Sequence, residues 1–541
     1  MQNDPVNLVQ VLEHAARFHS EVEIVSRRVE DDTIHRYTYA DALVRTRKLA
    51  NALLRLGMEF GDRVATMAWN SYRHLEGWYA ISGQGAICHT VNPRLFGEQI
   101  QYIINHAEDK IVLVDLSFVP LLEELQDELP TVEHFIVLAD EEQMPETTLR
   151  NAVAYETLIA DESEEIQWPS FPEETPSSLC YTSGTTGNPK GVIYTHRSNL
   201  LHAYAVNGKD VFGVGCDDSV LMVVPMFHAN SWGLAYSCPM VGARLVLPGA
   251  RMDGASIYEL LDSEEVTFSA AVPTVWNMLL GHLEENSLRL PHLDEVMIGG
   301  SAVPRRVIEA FDRDYEVTVV HGWGMTELSP IGTACRLKPF MKSFSYDQQV
   351  DIRLKQGTPL FGVAMKIVDD EGVELPHDGI TFGRLLVRGP WIVQRYYRDE
   401  VDAVDADSWF DTGDVATIDA YGYMQITDRS KDLIKSGGEW ISSVDLENAA
   451  MGHGDVALAA VIGIHHPKWE ERPLLVVVKA AGAAITAEDM LAFLQDKVAK
   501  WWLPDDVVFV DEIPLTATGK ISKLRLRKQF TDYQLPGITD S

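Results

Sequence analysis

Short apolar runs alternate with amphipathic stretches along most of the chain. KIVLVD near 110, HFIVLAD near 134, SVLMVVP near 219, ARLVLPG near 243 and VTVVHGWG near 317 lack the polar-apolar alternation of a half-exposed strand. Such runs predict strands covered on both faces, and their recurrence between helical patterns predicts α/β layers. SSLCY and GVIYTH read as two more strands, joined by a segment rich in glycine and hydroxyl side chains. Near 409 the texture changes to WFDTGDVATIDAYGYMQITDRSKDLIKSGGEWIS, dense in glycine and charge, with a break at DRSKD. A boundary placed there gives a large N-terminal domain, 1–429, of layered sheets and helices in several subdomains, and a small α+β domain, 430–541. In the latter, DVALAAVIGI, PLLVVVKA and DDVVFVDEIP predict strands, AEDMLAFLQDKVAKWW a helix, and LTATGK an exposed loop.

A length of 541 residues exceeds what one core usually supports, which agrees with two domains, and 46% hydrophobic residues is an ordinary globular value. The charge is not ordinary: 80 acidic against 45 basic residues give a net charge of -35. That balance argues against a nucleic-acid or anionic-membrane partner and suggests a strongly hydrated surface of the salt-adapted kind. Five cysteines, Cys88, Cys180, Cys216, Cys238 and Cys335, form no CxxC pair, so neither a disulfide framework nor a zinc site is indicated and a reduced cytoplasm fits. The first residues, MQNDPVNLVQVLEHAARFH, predict an amphipathic helix, not a signal peptide, and no apolar run reaches membrane-spanning length.

Chemistry is concentrated in YTSGTTGNPKG, Tyr181 to Gly191. Glycine lets backbone N–H groups approach phosphate oxygens, hydroxyls add donors and a lysine adds charge. Thr182, Ser183, Gly184, Thr185, Thr186, Gly187 and Lys190 are therefore the ATP phosphate-binding candidates. The Walker pattern is absent, so the loop reads as a phosphate cover more than a helix-opening cradle. The loop resembles the signature of the acyl-adenylate-forming superfamily, which includes acyl-CoA synthetases, luciferases and peptide-synthetase adenylation domains. Further stretches follow in that family's order over nearly the whole chain.

The resemblance implies roles for these stretches. In HGWGMTE, Trp323 would stack on adenine and Glu327 would bind magnesium together with Thr182, with Gly322, Met325 and Thr326 beside the nucleotide; a flat ring suits a purine and a carboxylate suits a hard cation. In WFDTGD, Asp414 would accept from both ribose hydroxyls, a task matched to its two acceptor oxygens. Ile426 borders the nucleotide, Arg429 would reach ribose or phosphates, and Lys431 takes the hinge position. In TATGK, Lys520 would be the catalytic lysine, bringing positive charge between a carboxylate and an α-phosphate that repel each other; the neighbouring Lys523 reads as surface charge. After the small domain rotates, Ser436, Gly437, Gly438, Glu439 and Trp440 would line the tunnel for coenzyme A.

PMFHANSW and GGSA are similar to the family's acyl-pocket walls, giving His228, Trp232, Gly299, Gly300, Trp323 and Gly324 for the acid and Gly300, Ser301 and Ala302 toward the nucleotide. His228 replaces the aspartate that amino-acid-activating domains use, which favours an uncharged acyl tail. It gates the pocket or guides the thiol, or is a hydrogen-bonded structural histidine. Trp232 would shorten the pocket, favouring short or medium aliphatic acids. HANSW, HGWGMTE, GGEWIS and WWLPDDVVFVDEIP resemble bacterial medium-chain acyl-CoA ligases and 3-methylmercaptopropionate-CoA ligases, and the acidic composition tilts the expectation toward 3-(methylthio)propanoate. The expected enzyme is an AMP-forming acid–CoA ligase using ATP, Mg2+ and coenzyme A, with a homodimer common among relatives. A luciferase-like oxidase would share the first step only.

Overall fold

The computed structural model describes residues 4–182, 188–429, 432–437, 439–480, 482–495, 497–516 and 521–536. Among them the strands build four sheets. The first has seven strands in the order Ala152–Ala154, His134–Val137, Ile111–Val114, Arg63–Met67, Ile87–Thr90, Pro176–Tyr181 and Gly191–Thr195, parallel except for the last. The second has nine, with a parallel block that runs Thr318–Gly324, Glu295–Ile298, Phe268–Ala271, Ser219–Leu221, Arg244–Leu247 and Glu23–Arg27 between antiparallel edges. Helices cover the faces, which is why these strands read as unbroken apolar runs: Ile111–Val114 is buried at every position. The amphipathic helix at the start spans Val9–Phe18 and buries Val9, Val11, Leu12 and Ala15.

This topology positions the site. Parallel strands end together, so their C-terminal ends gather loops that are far apart in sequence. Pro176–Tyr181 runs into the phosphate loop, Glu295–Ile298 into Gly299 to Ala302, Thr318–Gly324 into Met325 to Glu327, and Ser219–Leu221 toward His228 and Trp232. A third, antiparallel sheet of Ala364–Val368, Phe382–Arg388, Phe410–Ile418 and Met424–Arg429 pairs Asp414 with Arg429 across its last two strands.

The fourth sheet holds Glu439–Ile441, Ile434–Ser436, Glu470–Lys479, Val456–His466 and Asp506–Phe509 around its own core, which includes Leu446, Val461, Leu475 and Met490. Two expectations change here and in the second sheet. The helix expected over AEDMLAFLQDKVAKWW covers only Ala487–Leu494, because the Arg472 guanidinium captures the carbonyls of Trp501 (2.9 Å) and Leu503 (3.1 Å) and turns the chain back. The strand in SVLMVVP stops at Leu221, because the Asn70 amide bonds the carbonyls of Met222 (2.6 Å) and Val224 (2.8 Å) in place of a ladder partner.

Lys523 is not surface charge. Its ammonium is buried, pairs with Glu447 at 2.9 Å and donates to the Ser443 hydroxyl, which in turn donates to Asp428. Asp428, at the end of the third sheet, also accepts the Ser443 backbone N–H at 2.8 Å and so caps the helix Ser443–Met451 from across the expected boundary; Ser442 donates to the Thr427 carbonyl at 2.6 Å. Burial raises the Glu447 carboxyl, and the opposing Lys523 charge lowers it. Lys523→Ala would leave two buried carboxylates without their cation. It is expected to cost about 3–5 kcal/mol, read as a fall in the urea midpoint, whereas Lys523→Arg is expected to retain most of the stability.

Candidate active site

The phosphate loop is closed at its neck. The Thr182 N–H donates to the Lys190 carbonyl at 2.9 Å, and the Lys190 N–H returns to the Thr182 hydroxyl at 3.1 Å. This extends the register that pairs Tyr181 with Gly191 and Cys180 with Val192. Gly191 must be glycine, since a Cβ there would lie 2.9 Å from Cβ of Tyr397, whose N–H donates to the Gly191 carbonyl at 2.7 Å. The Lys190 ammonium sits 4.5 Å over the Tyr396 ring, and the Tyr396 hydroxyl donates to Glu327 Oε1 at 2.8 Å. One aromatic residue thus joins the loop exit to the HGWGMTE segment. Glu327 is nearly buried, and that burial pushes its carboxyl above the usual range while the Tyr396 bond opposes the shift. A buried carboxylate in this state gains most from a cation, so the donor fits a divalent ion bound through hard oxygens.

Asp414 is the junction. Its Oδ2 accepts from the Trp323 indole N–H at 2.9 Å and its Oδ1 from Arg429 Nε at 2.7 Å, with only 4% of its side chain exposed. Trp323 packs closely on Gly332: a Cβ there would meet its ring at 2.7 Å. Thr326 is fixed by its carbonyl, which accepts from the Tyr194 hydroxyl at 2.5 Å. Ile426 is held where its N–H donates to Gln356 Oε1 at 2.6 Å.

The expected acyl wall is built from close packing and strain. A Cβ on Gly299 would lie 3.1 Å from Trp232 Cη2 and 2.9 Å from the Gly322 carbonyl oxygen, so Gly299 lets the indole seat against the strand end. Gly324 is equally closed, its added Cβ falling 2.1 Å from the Pro330 oxygen, and Gly322 packs against Met297. Gly300 takes a positive φ of 86°, with Ser301 exposed and Ala302 half-buried after it. His228, half-buried with an extended backbone, leads into four consecutive left-handed residues, Ala229 to Trp232. At roughly 1–2 kcal/mol for each such residue, this turn is the most strained segment of the site.

The structure therefore links Thr182 and Lys190 to Glu327 through Tyr396, and Trp323 to Arg429 through Asp414, with Met325 and Thr326 beside Glu327 in the chain; Trp232 packs separately on Gly299. Ser436 and Gly437 belong to a separate cluster in the small sheet. Ser436 accepts from Arg472 at 3.2 Å, and Gly437 (φ 62°) packs on Trp469, whose ring meets Trp501 edge-on at 4.9 Å. Ser183, Gly184, Thr185, Thr186, Gly187, Lys431, Gly438 and Lys520 lie outside the described residues, as do the side chains of Glu439 and Trp440 in the strand Glu439–Ile441. The sequence reading missed Tyr396, Gln356, Gly332 and Asn230. Tyr396 in the charged segment QRYYRDE and Asn230 in PMFHANSW lay in stretches with some local signal, whereas Gln356 and Gly332 had none.

Parallel strands whose C-terminal ends carry these segments, followed along the chain by a small α+β domain, fit an adenylate-forming class of enzyme. The sequence pattern of the AMP-binding enzyme family matches residues 11–397, and that of the AMP-binding enzyme C-terminal domain matches residues 445–520. A 3-methylmercaptopropionyl-CoA ligase of Ruegeria lacuscaerulensis is 48% identical over 98% of this chain and 98% of its own length. A medium-chain-fatty-acid–CoA ligase of Ectopseudomonas oleovorans is 46% identical over 99% of this chain and 98% of its own. The solved structure of an anthranilate CoA ligase with anthranoyl-AMP matches at a TM-score of 0.87 and 26% identity, covering 98% of each chain. The chain belongs to the AMP-binding enzyme family, as an AMP-forming acyl-CoA synthetase. Its substrates are a carboxylic acid, ATP and coenzyme A, with Mg2+ as the metal. Among the described residues no helix is long and apolar enough to cross a membrane.

A carboxylate binds a cation only when ionised, and burial raises the Glu327 pKa, so a rate that depends on Glu327 as a metal ligand should fall on the acid side at a pH above the ordinary carboxylate range. Tyr396→Phe removes a donor to the ionised form, so the acid limb of kcat/KM is expected to move to still higher pH, with more Mg2+ needed for half-maximal rate. An acid limb that stayed in place would show that this hydrogen bond does not tune Glu327.

Proposed function

We propose that this chain joins an aliphatic acid to coenzyme A in two half-reactions, with 3-(methylthio)propanoate as the preferred acid. First the carboxylate attacks the α-phosphorus of ATP and expels pyrophosphate; then the thiol attacks the acyl adenylate and expels AMP. The observation that carries the reading is Asp414, which joins Trp323 and Arg429 within 2.9 Å although the three lie in separate motifs.

In the first half-reaction Trp323 faces adenine, Asp414 accepts from the ribose hydroxyls and Ile426 borders the sugar. Residues 182–187 and Lys190 wrap the phosphates. Magnesium, held by Glu327 and Thr182, would neutralise phosphate charge. Lys520 supplies the positive charge between carboxylate and phosphate, and Arg429 adds to it. On a molecule of net charge -35 these local cations must overcome a repulsive field, so dense positive charge inside the cleft is what admits two anionic substrates. For the second half-reaction the domain 430–541 rotates about Lys431, removing Lys520 and presenting Ser436 to Trp440 to the pantetheine arm.

His228 in place of a carboxylate supports an uncharged tail, and Trp232 seated on Gly299 supports a short one. The 48% identity to a 3-methylmercaptopropionyl-CoA ligase supports the thioether acid. The 46% identity to a medium-chain enzyme supports a medium- or short-chain fatty acid as the second reading. A cytoplasmic homodimer accords with both.

Pyrophosphate release measured across acetate, butyrate, hexanoate, octanoate, 3-(methylthio)propanoate and benzoate is expected to give the highest kcat/KM for 3-(methylthio)propanoate; a benzoate preference would refute an aliphatic pocket. Lys520→Ala is expected to lower adenylate formation by roughly two orders of magnitude or more, while thioester synthesis from supplied acyl-AMP is largely retained. Equal loss of both half-reactions would rule out a role confined to the first.

A further inference from the structure

Ala229 (φ 42°), Asn230 (50°), Ser231 (49°) and Trp232 (55°), followed by Gly233 (87°), wind a turn of left-handed helix. Residues with side chains adopt this conformation one at a time in ordinary turns, and a run of four persists only where the surroundings leave no alternative. Here the surroundings are hydrogen bonds among buried side chains. The Asn230 amide donates to the Ser178 hydroxyl at 3.1 Å and to Asn199 Oδ1 at 3.0 Å, and its oxygen accepts from the Cys180 thiol at 3.4 Å. Asn199 donates to Ser177 and Ser178 in turn, and Ser231 donates to the Val224 carbonyl at 2.7 Å. Asn230 and Ser231 are both wholly buried. Gly233 then passes so close to His202 that a Cβ would lie 2.8 Å from its ring nitrogen, which closes the far end of the turn.

A right-handed turn of the same residues would send the Trp232 side chain in another direction. The left-handed one seats it on Gly299, where Cη2 comes within 3.1 Å of the position a Cβ would take. We infer that Asn230 is the positioning residue for acyl-chain length: it holds the strained turn that plants Trp232 as the end wall of the acyl pocket. The inference rests on the pocket reading given above. Its partners Ser178 and Cys180 lie on Pro176–Tyr181, the strand that enters the phosphate loop, so the acyl wall is fixed to the same element as the ATP site. Released from the clamp, the turn relaxes toward right-handed geometry, Trp232 leaves Gly299, and the pocket lengthens.

The test uses the full-length enzyme with ATP, Mg2+ and coenzyme A, and compares kcat/KM for octanoate with that for butyrate. Trp232→Ala is measured first. A rise in the ratio of roughly tenfold or more, the scale of discrimination by a few methylenes, identifies Trp232 as the wall; an unchanged ratio removes the pocket reading and the inference with it. Asn230→Ala is then expected to raise the ratio in the same direction through KM for the acids, leaving KM for ATP at its wild-type value. In a Trp232→Ala background it is expected to add nothing to the ratio, because its effect passes through that side chain. Should Asn230→Ala fail to fold, Ser178→Ala weakens the same clamp with a smaller loss and is expected to shift the ratio in the same direction. If Trp232→Ala shifts the ratio and the folded clamp variant does not, or if the clamp variant shifts it equally without Trp232, Asn230 is structural only and the inference is overturned.

Discussion

The cleft depends on one buried carboxylate that is never left alone. Asp414 sits on an antiparallel sheet that shares no strand with the nine-stranded sheet carrying Trp323, yet the two are joined by its 2.9 Å bond to the indole and steadied by Arg429 at 2.7 Å. An unpaired carboxylate with 4% exposure would be costly, so both sheets are obliged to keep their mutual placement. Under the proposed function, a ribose entering this cleft exchanges partners with groups already bonded to Asp414. Binding then draws little new energy from that residue and draws specificity instead, since only a ligand with two suitably spaced donors replaces what it displaces.

A second constraint is strain in the left-handed turn that the proposed function reads as the acyl wall. The left-handed turn from Ala229 to Trp232 and the crowded Gly299 and Gly324 oppose relaxation, and the buried amide of Asn230 offsets that strain with hydrogen bonds to Ser178, Asn199 and Cys180. The turn is buried and hydrogen-bonded, whereas the Arg429 side chain is 44% exposed, so the two stretches differ in their freedom to move.

Much of this was legible in the sequence. Strands buried on both faces declare themselves as unbroken apolar runs, and all five such runs ahead of residue 330 formed strands, the one near 219 shortened by Asn70. The segments carrying Thr182, Glu327 and Asp414 stood out by their resemblance to the family's motifs, in the family's order along the chain. What could not be read were effects of partners distant in sequence. Tyr396 has a role only because Glu327 and Lys190 arrive on either side of it, and Lys523 is a surface lysine by composition but a buried ion-pair partner once Glu447 and Asp428 surround it. Asn230 is the one side chain in the turn that tolerates left-handed backbone, but alanine, serine and tryptophan do not favour it, so the handedness of the whole run was not legible locally.

The cap that Asp428 places on the helix Ser443–Met451 lies within a few residues of the proposed pivot at Lys431. A contact so near a fulcrum has a short lever arm. Moving it by the length of a hydrogen bond corresponds to a much longer sweep at any part of the small domain remote from that point. Control of a large swing can therefore rest on a few buried atoms at the axle, leaving the periphery free to be polar, wet and easily parted.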